Sequence, residues 1–329
     1  LAGTSFPKFS SVKTLLNGLF DYAGLFPPAS LSLEDAMSEY LDHRQHPDAW
    51  MLGPFVIPIG MLEAIVQMKT QLSSESPVPL IVLPRVAKSW TEFADSLNTD
   101  FVACSDFLDQ AEGTATIEGF EFRIPEDALI SAGETTRNLS RISQLFEASS
   151  FASYPAFAEI QRTSSFREIL PLYFLGLAAA GPRLYGKIRC GGMKDSDFPS
   201  TSELASFIHT AVRVGHPFKA TAGLHHPLRH YNEGQQVMMH GFMNVFFAVT
   251  LSRVHNLEPE QIQPILDEES PNKFVFTDAG IEWGKLKAST TDFIRDRRSM
   301  ALSIGSCSFS EPREDLMDLG WLSSSGPTT

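Results

Sequence analysis

The sequence predicts an α/β protein of the (β/α)8 TIM-type barrel class with an N-terminal helical extension. Three observations carry that expectation. Short β-rich runs alternate with longer stretches whose apolar residues recur at three- and four-residue spacing, as parallel strands with crossover helices require. Eight such runs can be counted. The chain has 329 residues and is 43% hydrophobic, enough for one large closed sheet with its outer helices.

Taken in order, residues 1–50 read as the extension packing on the barrel. They contain the segment LFDYAGLFPPA from Leu19 to Ala29 and a helix from Leu33 to Arg44 that Ser32 can cap. Residues 51–322 read as the barrel. Its strands are expected at Phe55 to Pro58, Leu80 to Pro84, Thr116 to Ile124, Phe157 to Gln161, Tyr185 to Cys190, Pro217 to Gly223, Phe274 to Thr277 and Ala301 to Ser306. Helices are expected at Met61 to Leu72, Trp90 to Gln110, Glu134 to Ala148, Ser202 to Val214 and Gln235 to His255. Residues 323–329 read as a flexible tail. In the extension, Asp21 and Tyr22 are placed to lid the site, and the arm itself suits either a packing clamp or a contact between copies in a homo-oligomer.

The formal net charge is −13. An acidic surface repels nucleic acid and anionic membranes at long range, so neither is expected as a partner. No apolar run reaches the length of a membrane span. The three cysteines Cys104, Cys190 and Cys307 form neither a disulfide framework nor paired metal ligands, which favours a reducing cytoplasm.

Polar residues on the central strands share one phase. Glu121 and Arg123 alternate with Phe120, Phe122 and Ile124; Glu159 and Gln161 flank Ile160; Lys187 and Arg189 flank Ile188; Lys219 and Thr221 alternate with Phe218, Ala220 and Ala222. The apolar phase faces the helices, so the charged phase faces the barrel interior. One reading is that these charges pair with one another and fill a polar layer. The functional reading draws on their position late in the strands, where barrel enzymes keep their sites. The segment Arg183 to Asn232 adds weight, because seven basic residues there face three acidic ones in an otherwise acidic chain. Four of the nine histidines, His225, His226, His230 and His240, follow closely after the sixth run. A small anionic metabolite is the expected ligand.

Two runs supply candidate chemistry. GKIRCGG, Gly186 to Gly192, sets Gly191 and Gly192 after a strand, where backbone amides can approach an anion beside Lys187 and Arg189. FKATAGLHHP, Phe218 to Pro227, spaces Lys219, Thr221 and Gly223 as K-x-[ST]-x-G. In that spacing it resembles the sixth-strand lysine segment of the deoxyribose-phosphate aldolase family of (β/α)8 enzymes. The resemblance covers about a dozen residues. It implies that Lys219 forms a Schiff base with a carbonyl substrate, and that a second lysine lowers its pKa. Lys187 fits that second role only loosely, since it precedes Lys219 whereas the family's second lysine follows. The strand motifs as a whole also resemble a bacterial (β/α)8-barrel family to which no activity attaches.

The leading expectation is therefore a lyase of aldolase type acting on a small anionic carbonyl compound. Lys219, Lys187, Glu159, His225 and His226 are its candidate catalytic residues, and Arg189, Gly191, Gly192, Thr221, Arg229 and Ser306 its candidate substrate contacts. No cofactor is favoured. The first alternative is an isomerase or hydrolase using acid/base chemistry in the His225/His226 loop, or a divalent metal held by Glu159, His225 and His230. Adjacent histidines on extended chain point opposite ways, so His225 and His226 are not expected to share an ion. A second alternative is a non-catalytic anion-binding protein. Cys307, after the last strand, is a nucleophile only where its surroundings depress its pKa.

Overall fold

Eight parallel strands close into a barrel in the computed structural model, which describes residues 6–323. They are β1 (Phe20–Tyr22), β2 (Leu52–Pro58), β3 (Val78–Leu83), β4 (Ala115–Arg123), β5 (Ala156–Glu159), β6 (Leu184–Arg189), β7 (Phe218–Thr221) and β8 (Ala301–Ser306). The closed order is β8-β1-β2-β3-β4-β5-β6-β7. Each strand is followed by a helix: α1 (Leu33–Gln45), α2 (Leu62–Gln67), α3 (Trp90–Ala111), α4 (Ala132–Glu147), α5 (Phe166–Ala180), α6 (Thr201–Val214), α7 (Phe242–His255) and α8 (Ser310–Asp318). The (β/α)8 expectation holds.

Two assignments change within it. The first barrel strand is β1, inside the segment read as an extension. The seventh expected run is not in the barrel: Phe274–Phe276 pairs antiparallel with Gly280–Trp283, which pairs with Leu286–Ser289 in a separate three-stranded sheet. The physical reason is that β-propensity marks an extended run without encoding which partner it finds. Phe274 and Phe276 bury their rings against Phe247 of α7 instead. Lys187 therefore lies on the sixth strand and Lys219 on the seventh. The helix expected from Gln235 begins at Phe242, because Val237–Met239 pairs with His230–Asn232 as a hairpin. The tail expected at 323–329 lies, beyond Ser323, outside the described residues.

The chain divides into two compact units, one running up to Gly53 and resuming at Arg189, the other Pro54–Ile188. In the first, Phe20 packs on Phe242 of α7, Phe218 on Phe207 of α6, and Tyr22 on Tyr40 of α1. With Phe20, Tyr22 and Phe218 turned to the helices, the pleat sends Asp21, Lys219 and Thr221 to the opposite, inner face. In the second unit, Phe120 packs with Phe101, Phe146 and Phe151, so Glu121 is inner by the same alternation. Serine caps set where several helices begin. Ser32 accepts the Asp35 N–H at the start of α1, as expected, and Ser200 forms a capping box with Glu203 at the start of α6.

Candidate active site

Lys219 is completely buried, and its ammonium donates to Oδ2 of Asp21, which is also buried. The same oxygen accepts from Ser303 Oγ at 2.8 Å. Strand register explains the meeting: Gly305 of β8 lies level with Asp21 on one side and Thr221 on the other. Gly53 makes room for the carboxylate, since a Cβ there would lie 2.1 Å from Asp21 Oδ1. Two residues past Lys219, on the same face, the Thr221 hydroxyl is buried and finds no hydrogen-bond partner among the described residues. A buried, unsatisfied hydroxyl costs free energy unless something binds it. Tyr22, expected beside Asp21 as a lid, turns outward and donates to Glu39 Oε2 at 2.7 Å. Asp21 is part of the barrel interior rather than a lid.

In the other unit, Lys187 is clasped by two carboxylates, with Glu121 Oε2 at 2.8 Å and Glu159 Oε2 at 3.0 Å. Arg123, half exposed, reaches Glu159 Oε1 at 3.3 Å. Burial by itself lowers the Lys187 pKa, but the charges and hydrogen bonds of Glu121 and Glu159 outweigh it and hold the group above the ordinary lysine value. The Tyr173 hydroxyl accepts the Lys187 backbone N–H at 3.0 Å and donates to the Ala158 carbonyl. The expectation of Lys187 as an uncompensated positive charge that depresses a neighbour's pKa is corrected, because two carboxylates neutralise it.

The loop after β7 begins with two left-handed residues, Ala222 at φ 60° and Gly223 at φ 66°. A left-handed alanine is strained, and such strain concentrates at functional loops. A Cβ on Gly191 would lie 2.7 Å from the Gly223 Cα, so the chain after β6 and the chain after β7 meet backbone to backbone. Gly192 packs in the same way against the Asp197 side chain, which accepts the N–H groups of Met193 and Lys194 at 2.9 and 3.0 Å. Arg189 is exposed at the end of β6. Arg229 is committed to Asp267 at 3.6 Å.

His225 and His226 point different ways, as extended chain requires. His225 is buried against Ser306 Oγ at 3.3 Å and Cys307 Sγ at 3.7 Å, with Glu311 at 3.8 Å. Burial first, then the nearby His226 and His230, push its pKa down to about 4. Burial also pushes the Cys307 thiol up to about 11, so its surroundings do not create a thiolate. His226 turns to Asp315 and to His230. The expected trio of Glu159, His225 and His230 is not gathered, and among the described residues no group of three or more His, Cys, Asp or Glu side chains is placed to hold a metal.

Two features were not read from the sequence. Ser303 joins Asp21 through the alternation of β8, a signal present in the SIGS run but not used. A cavity of ≈ 410 Å³ is bordered by Glu39, Asp42, His43, Cys307 and Ser308, where α1 meets the end of β8. Nothing in the local sequence of α1 distinguishes its polar face there from a solvated one.

No family model matches the sequence, and no curated protein matches it. Among solved structures, the chain is similar to a deoxyribose phosphate aldolase from Aeropyrum pernix, described as having a unique tetrameric structure. The identity is 12%, 93% of each chain is covered, and the TM-score is 0.49. A likeness at that level assigns neither activity nor residue roles to this chain.

Proposed function

We propose that the protein is a barrel enzyme of lyase type that engages a small carbonyl compound, bearing an anionic group, through an imine at Lys219. One observation carries this reading: on the inner face of β7, the Lys219 amine rests on Asp21 while the buried Thr221 hydroxyl two residues on lacks a partner among the described residues. The basic bias of the Arg183–Asn232 segment supports the anionic group.

The chemistry follows from the pair. Lys219 must be neutral to attack, and Asp21 is the acceptor for its proton. The amine nitrogen adds to the carbonyl carbon, Asp21 returns the proton to the departing hydroxyl, and water leaves as the iminium forms. The iminium then takes up the electron pair of the adjacent carbon–carbon bond as it breaks, giving an enamine. Protonation of the enamine at carbon and addition of water release the product and restore the amine. The Thr221 hydroxyl is placed to bond a substrate oxygen, which satisfies it.

Borohydride reduction in the presence of a panel of aldehydes and keto acids tests this. Reductive trapping should add the mass of one substrate, less oxygen, to the wild type and nothing to Lys219→Arg. No adduct across the panel, or equal trapping in Lys219→Arg, would sink the imine.

A further inference from the structure

We infer that His226 and His230 form a two-histidine site for a divalent transition-metal ion of the zinc class, in the loop after β7 and separate from Lys219. His226 Nδ1 lies 2.5 Å from Asp315 Oδ2, and His230 Nδ1 lies 3.1 Å from the Leu228 carbonyl. Carboxylate and carbonyl oxygens only accept, so Nδ1 is the N–H donor in both rings. That fixes the tautomers and leaves the lone pair of each ring on Nε2, the arrangement by which an outer carboxylate or carbonyl orients a metal-binding imidazole.

The two rings lie edge to face, with centroids 4.3 Å apart. His230 Nε2 is buried and has no hydrogen-bond partner among the described residues. A bare lone pair on a buried nitrogen is an unfilled acceptor, and a neighbouring imidazole presenting a second lone pair cannot donate to it. A cation satisfies both.

The surroundings suit a positive charge. Asp315 and Glu269 both act electrostatically on His230, while burial lowers the pKa of that ring and so favours the neutral form a metal needs. The loop is also held. Asn244 of α7 accepts the Arg229 N–H at 3.0 Å and donates to the Ile265 and Glu268 carbonyls at 2.9 and 2.7 Å, fixing the histidine loop to the segment that carries Glu269. With two imidazoles as protein ligands, the remaining positions belong to water or to an oxygen of an incoming ligand.

Calorimetric titration of the full chain with zinc sulfate tests the site. One ion should bind per chain, His226→Ala and His230→Ala should each abolish binding, and Asp315→Asn should weaken it by about tenfold or more through loss of ring orientation. The absence of zinc binding by the wild type, or binding unchanged in both alanine variants, would overturn the site. Pulsed electron paramagnetic resonance of the wild type loaded with copper(II) needs no variant to fold. Two imidazoles coupled to the copper support the site, and none or one contradicts it.

Discussion

Asp21 carries more of this site than its neighbours in sequence suggest. It is a buried carboxylate shared by an ammonium and a hydroxyl, and removing it strips a compensating charge from Lys219 in the interior. Asp21→Ala should therefore cost about 3–5 kcal/mol in urea unfolding, with Asp21→Asn costing less because it keeps an acceptor. An alanine variant as stable as the wild type would show that the pair does not hold the barrel. His225 makes a separate prediction through pH. Its pKa is about 4 in the folded chain, against the ordinary histidine value of 6.5. The unfolded chain takes up the proton first, so this contribution to stability is complete above the ordinary value and is lost as pH falls toward 4. The loss amounts to about 3 kcal/mol. It should appear in denaturation midpoints measured across that window and be reduced in His225→Gln, whereas an identical pH dependence in the variant would contradict it. At this scale the sequence was legible where alternation was long enough to read. Lys219 and Thr221 declared their face because Phe218, Ala220 and Ala222 declare the other. Asp21 did not, since three residues of strand between Leu19 and Ala23 hold too little pattern to fix a phase.

Among the elements, β1 and the Phe274–Phe276 strand exchange the places the sequence suggests for them, and the exchange has one cause. Local propensity marks extended chain, whereas membership of a parallel barrel is decided by distant partners such as Ile304 and Gly305, which pair with Phe20 and Asp21. Helices were easier to find, because capping serines and apolar spacing are local: α1 begins behind Ser32 and α6 behind Ser200, both where their caps place them. The hairpin ahead of α7 was hidden because Val237 and Met239 alternate over too few residues to break a helical pattern. The loops after β6 and β7 give the prediction that belongs here. Gly191→Ala would put a Cβ 2.7 Å from the Gly223 Cα and 2.9 Å from its nitrogen, backbone atoms that cannot swing aside. That substitution should destabilise the protein by about 1–3 kcal/mol. Gly60→Ala, which meets nothing within 4 Å, is the control expected to be nearly neutral in the same thermal or urea measurement. Equal effects at the two positions would contradict the close approach of the loops.

Across the whole molecule, the charge of −13 is an average that conceals a basic segment, and the buried charges are distributed unevenly over their partners. Lys187 is held by two carboxylates, whereas Lys219 shares one Asp21 oxygen with a serine hydroxyl and has the unsatisfied Thr221 beside it. That difference favours Lys219 as the reactive amine, although both lysines are buried and both lie on strands that the sequence pattern marks. No described helix is long and apolar enough to cross a membrane. The most direct test of the Lys219 imine is a crystal structure of the protein after borohydride reduction with a trapped carbonyl compound. Continuous density should run from Lys219 Nζ into the substrate carbon, with a substrate oxygen on the Thr221 hydroxyl. Density joined to Lys187, or an unmodified Lys219 still seated on Asp21 with the compound bound elsewhere, would contradict it.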